Sequence, residues 1–242
     1  MDILKEQQLR VQAALTSSEF SAKIDPLKDG ISSVELVRIS GSDVDIVNAA
    51  RVSFGKVVTE LTPKDEKLIK YLLRHQHSSP FEHNQLSFRI KAPIYVVRQW
   101  MRHRMSSYNE ISYRYVNSAL EFYIPNEWRY QSEDNRQASL GAFQEPELLA
   151  KYQRTLNESA QVYHDLLAAG VCREQARGVL PVCTYSEFIY TCNLHSFMHF
   201  LALRMSAGAQ FEIKVYAQAM LDLATPYFKV ALQEWREMYL NK

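Results

Sequence analysis

Hydrophobic positions along this chain repeat with two different periods. Leu86, Phe88 and Ile90 alternate with Ser87, Arg89 and Lys91, the pattern of a strand with one buried face. Leu68, Ile69, Leu72 and Leu73 recur at helical spacing. That helix also carries a start signal: Thr62 is placed as N-cap, Pro63 at the first helical position, and Asp65 and Glu66 in the first turn.

The same reading predicts the remaining elements. Residues 31–40, ISSVELVRIS, are rich in β-branched side chains and read as a strand. Gly41-Ser42-Asp43 turns the chain into a helix that runs through Ala50. Pro93 opens the helix PIYVVRQWMRHR. LEFYIP (120–125) reads as a strand, 145–169 as a long amphipathic helix stopped by Gly170, and REQARGVL as a short helix stopped by Pro181. CTYSEFIYTCNL reads as a strand, and helices near 195–206 and 211–240 finish the chain. The expected fold class is α+β: one domain over 31–242, with a mixed or antiparallel sheet and several packed helices. Residues 1–30 read as a helical N-terminal extension. The strands are too scattered for a doubly wound βαβ sheet.

Composition narrows the function classes. With 242 residues, 47% of them hydrophobic, the chain can bury a core without staples. A net charge of +1 gives no global attraction to nucleic acid or an acidic membrane, so any basic site is local. Cys172, Cys183 and Cys192 form no CxxC and are odd in number, which predicts reduced thiols. The polar N-terminus and the lack of a long apolar run predict a soluble cytoplasmic protein. No two of the seven glycines are closer than eight residues, which excludes GxGxxG and Walker A loops. Phosphates, if bound, must be held by arginines or helix N-termini.

Local charge does occur, in RQWMRHRMSSYNEISYRY (98–115). Gln99 and Arg102 lie three apart on a helix and can present donors along one edge. If 110–114 is extended, Glu110, Ser112 and Arg114 share one face. Guanidinium forks suit phosphate and carbonyl oxygens, a hydroxyl adds a neutral donor, and the carboxylate can accept from a ribose hydroxyl. Tyr108, Tyr113 and Tyr115 can pack against flat rings. The set fits a nucleotide. A solvated charged face is the bland alternative, and Arg-His-Arg followed by Asn-Glu-x-Ser-x-Arg is more particular than that.

Arg102-His103-Arg104, seven residues, then Ser112 resembles the signature of the flavin-dependent thymidylate synthases. NAARVSF, HSSPFEH, KAPIYVVRQWMRHR, EFYIP, REQARGVLP and LALRMSAGAQFEI are similar to further blocks of that family, in its order, over residues 31–240. The resemblance implies methylation of dUMP to dTMP. Methylene-tetrahydrofolate would give the carbon, reduced FAD the hydride, and NADPH would reduce the flavin. It also implies a homotetramer with shared active sites and an α+β fold that holds FAD without a Rossmann motif. By matching position, Gln99, Arg102, Glu110, Ser112, Arg114, Arg177 and Arg204 are the expected dUMP contacts. Arg204 is the expected catalytic residue, set against the uracil. His77, Ser79, Glu82, Arg102, His103, Arg104, Glu110, Asn193, His195 and His199 are the expected FAD contacts. The chain departs from the family at Ala207-Gly208-Ala209, where many members carry a histidine, and at His195 and His199, where other residue types are common.

Other readings compete. His195 and His199 have metal-compatible i, i+4 spacing, but Ser196, Phe197 and Met198 between them do not make HExxH, so no metal is expected. Arginines among tyrosines also occur in RNA-binding modules, against which stand the near-zero net charge and the carboxylate inside the cluster. A non-catalytic nucleotide sensor, or a synthase with a cysteine nucleophile, are the remaining alternatives.

Overall fold

The computed structural model describes residues 22–116, 119–133 and 139–240. The extension expected over 1–30 lies outside the described residues up to position 21. Seven strands follow in chain order: β1 (Lys23–Ile24), β2 (Ser33–Ser40), β3 (Gln85–Pro93), β4 (Ser106–Glu110), β5 (Trp128–Gln131), β6 (Ser139–Phe143) and β7 (Tyr185–Asn193). Five of them form one antiparallel sheet in the order β1-β2-β3-β7-β4, and β5 and β6 form a separate antiparallel ribbon. The helices are α1 (Asp43–Arg51), α2 (Pro63–Arg74), α3 (Ser79–Glu82), α4 (Ile94–Trp100), α5 (Pro146–Ala168), α6 (Arg173–Ala176), α7 (Leu194–Arg204), α8 (Phe211–Ala224) and α9 (Lys229–Tyr239). The fold is α+β, as the two hydrophobic periods predict. Among the described residues no helix is long and apolar enough to cross a membrane.

The two central strands organise the site. β3 and β7 pair over their full length, Gln85 opposite Asn193 and Pro93 opposite Tyr185. Each runs straight into a helix. Pro93 cannot donate to a ladder, so β3 stops there and α4 begins at Ile94. Asn193 ends β7 and its side-chain oxygen accepts from Ser196 N at 2.8 Å, capping α7. Leu86, Phe88, Ile90, Phe188 and Tyr190 are buried between the sheet and the helices. At the centre Trp100 stacks on Phe200 at 5.0 Å and meets Phe188, Tyr190 and Tyr216 edge-on. This cluster fixes the end of α4, and with it Gln99 and Arg102.

The Thr62 start signal is realised as a capping box with Asp65. Four expectations need correction. LEFYIP is not a strand. It makes one bridge, Phe122 to Thr184, before Pro125 removes the next donor. The helix expected over 211–240 is two helices, because Pro226 interrupts the hydrogen-bond ladder and Asp43 caps the second. The stretch 110–114 is not extended throughout. β4 ends at Glu110, and Tyr115 N and Val116 N both turn back to Ser112 O. Finally, the β5–β6 ribbon lies where no strand is expected.

Candidate active site

The Arg-His-Arg segment forms the turn between α4 and β4. Three contacts tie it down: His103 N donates to Trp100 O, and the Tyr108 hydroxyl lies 2.9 and 2.8 Å from the carbonyl oxygens of Trp100 and His103. Tyr108 is therefore a brace under the turn, and burial pushes its hydroxyl up to about 12. Tyr113 is likewise structural, donating to Tyr185 O at 2.7 Å.

Across from the turn stands α7, directed there by β7. A pocket of about 470 Å³ opens between them. Glu82, Arg102, His103, Arg104, Asn193, His195, His199 and Arg204 all line it, together with Met105, Ser106, Ser196 and Leu203. Three guanidinium groups face a single carboxylate. Arg102 and Arg104 have no acidic partner among the described residues, so their charge is available to an anion. Glu82 accepts from Ser78 Oγ at 3.1 Å and sits 3.9 Å from His195 Nδ1.

Arg204 is held from two sides. Its Nε donates to His103 Nε2 at 3.0 Å and its Nη2 to Gln99 O at 2.8 Å. A nitrogen that accepts carries no proton, so His103 is neutral with its proton on Nδ1. Burial, then Arg204 and His199, lower its pKa to about 4. Burial and the nearby Arg102 also pull Arg204 below the usual guanidinium value, though an arginine stays cationic. The site thus holds a fixed cation beside a neutral imidazole.

A second pocket of about 370 Å³ adjoins the first across His195 and His199. Leu72, Phe81, Met198 and Trp235 line it together with Gln76, His77 and Ser78. Ser79 opens α3 beside it and lines neither pocket.

Five expected dUMP contacts line neither pocket on this chain. Glu110 is four residues along β4 from Ser106, about 13 Å at strand spacing, and accepts from Ser186 Oγ. Ser112 Oγ accepts from Arg114 N at 3.3 Å and Arg114 Nε at 3.4 Å. Arg177 is exposed in the turn after α6. Gln99 stands behind Arg204, its side chain turned to Gln210. Sequence reasoning missed Gln210 and Glu212, although both fall inside the quoted block LALRMSAGAQFEI. Ala207-Gly208-Ala209 forms a turn between Arg204 and Gln210, with no polar side chain of its own. None of the cysteines lines either pocket. Burial raises the Cys183 thiol and pushes Cys192 up to about 12, which suits neither to nucleophilic attack.

Residues 35–228 match the family model described as thymidylate synthase complementing protein. A flavin-dependent thymidylate synthase of Thermus thermophilus is 45% identical over 208 residues, covering 86% of this chain and 77% of that protein. Its counterpart in Thermotoga neapolitana is 46% identical over 201 residues, covering 83% and 88%. A solved UMP/dUMP methylase from Streptomyces cacaoi, PolB, bound with 5-Br dUMP, is similar with a TM-score of 0.78 and 35% identity, covering 85% of this chain and 95% of that one.

Proposed function

This chain belongs to the flavin-dependent thymidylate synthases, and from that premise we propose that it methylates dUMP to dTMP in the pocket that holds Arg204. The observation that carries the proposal is the fixed guanidinium. Arg204 is immobilised by His103 and Gln99 in a partly buried, cation-rich pocket. A cation set against uracil favours loss of the N3 proton and draws negative charge into the ring, which activates C5 without a thiol.

The residues present fit a flavin dinucleotide. Three arginines against one carboxylate suit a pyrophosphate, and the adjoining pocket, with Phe81 and Trp235 in its wall, suits a flat ring. We assign FAD to His77, Ser79, Glu82, Arg102, His103, Arg104, Glu110, Asn193, His195 and His199. Bound flavin supplies the hydride. Asn193 also caps α7, so its side-chain oxygen is committed and its NH2 remains for the ligand. We assign dUMP to Gln99, Arg102, Glu110, Ser112, Arg114, Arg177 and Arg204. Methylene-tetrahydrofolate as carbon donor, NADPH as reductant of the flavin and the homotetramer rest on family membership. Sharing of sites between copies has a geometric reason as well. Glu110 at the end of β4, and Ser112 and Arg114 in the turn beyond it, lie away from their own pocket, where they can serve a neighbour's.

The test is a visible spectrum of FAD-saturated, desalted protein before and after dUMP. A retained flavin band that shifts with the nucleotide is expected. Arg204→Ala should lower turnover by about a hundredfold or more while flavin retention changes little. Equal loss of both would move Arg204 into the flavin site.

A further inference from the structure

Behind Gln99 runs a chain of hydrogen bonds that the reading above does not use. Glu212 lies in the first turn of α8 and is 2% exposed. Its Oε1 accepts from Arg129 Nη2 at 2.7 Å and lies 3.5 Å from the Tyr123 hydroxyl; its Oε2 accepts from Gln210 Nε2 at 2.7 Å. Gln210 Oε1 in turn accepts from Gln99 Nε2.

The direction of this chain is set at one end. Glu212, paired to Arg129, is a carboxylate and can only accept. Gln210 must therefore turn its NH2 toward Glu212 and its oxygen toward Gln99. Gln99 must answer with its NH2. An amide whose two ends look alike in shape is oriented by its partners, and here a buried charge chooses the orientation twice over. Gln99 Oε1 is left with no partner among the described residues, on a half-buried side chain next to the carbonyl that holds Arg204.

We propose that Gln210, set by Glu212, is a positioning residue that fixes the Gln99 amide so that its oxygen accepts from a donor on the nucleotide. This rests on the assignment of Gln99 to dUMP. The donors available there are the 3′-hydroxyl of the sugar and the N3–H of the ring. A fully ionised phosphate offers none, so the Gln99 oxygen is not turned to the phosphate. The relay also ties the β5–β6 ribbon to the site, because Arg129 lies on β5.

The test uses flavin-loaded full-length protein and two variants. Gln210→Met removes the relay at similar length. Glu212→Gln keeps its shape but lets the amides reverse. With flavin retained, each should raise the KM for dUMP about tenfold and change kcat less than about twofold. A purely structural role would lower kcat along with the affinity for dUMP, or change neither. Two analogues locate the donor: 2′,3′-dideoxyuridylate lacks the hydroxyl, and N3-methyl deoxyuridylate lacks the imide proton. The variants should lose no further affinity for whichever analogue lacks the donor being read. Unchanged KM, or an equal penalty with dUMP and both analogues, overturns the relay. Should both variants fail to hold flavin, Gln99→Met decides. It must erase the discrimination between dUMP and that same analogue, and unchanged discrimination overturns the proposal. Wild-type protein that neither shifts its flavin band nor turns over dUMP refutes the proposed function, and the relay with it. A wild type that does both while the variants match it refutes the relay alone.

Discussion

His103 accepts from Arg204, and a protonated imidazole cannot. Its pKa of about 4 lies below the ordinary histidine value of 6.5. In that window the unfolded chain binds a proton that the native chain refuses. The stabilisation is therefore whole above pH 6.5 and is lost as pH falls toward 4. His103→Gln keeps an acceptor in the site without a titrating group. Its thermal midpoint should fall less between pH 6.5 and 4.5 than that of the wild type, measured by scanning calorimetry; an identical fall would place the acid sensitivity elsewhere. At this scale the sequence was partly legible. The Arg-His-Arg spacing pointed to His103 and, through family resemblance, to Arg204. The bond between them spans 101 positions, which no local pattern encodes. The same holds for Gln99 and Gln210, which are 111 positions apart.

Among the elements, Gly41 joins β2 to α1 with φ +95°, and a Cβ there would sit 1.9 Å from Asn84 Oδ1. Asn84 O in turn accepts the first N–H of α7, from Leu194. Gly41→Ala thus combines backbone strain with a clash against a residue that seats the active-site helix. It should destabilise by about 2–4 kcal/mol, read as a lower denaturant midpoint, with flavin retention falling alongside. Elements with a strong local signal are legible in the sequence. α2 has its capping box, β3 its alternation and α5 its stopping glycine. The break at 225–228 is masked, although Pro226 marks it, because helical periodicity continues on both sides. Its cap comes from Asp43, 187 residues from Val230. The β5–β6 ribbon lacks strict alternation, since its register shifts between Arg129 and Tyr130.

In the whole molecule, Val52, Phe54 and Val57 are at least 75% exposed, and Tyr130, Leu140 and Phe211 are also open. So much uncovered apolar surface fits a chain that assembles with copies of itself. If each site takes Arg204 from one copy and Arg114 from another, two inactive variants can complement each other. Arg204→Ala and Arg114→Ala, mixed equally and allowed to exchange subunits, should recover about a quarter of wild-type turnover, the share of sites with both intact halves. No recovery after demonstrated exchange would place both residues in one chain's site.

β7 passes into α7 between Asn193 and Leu194 with no residue to spare. One extra residue there would rotate the helix by about 100° against the sheet. His195, His199 and Arg204 would swing out of the pocket while every strand remained paired. Chain length at this junction is therefore as constrained as residue identity. A lineage can drift in composition along α7, but it can insert or delete only in loops that do not aim a helix at the ligand.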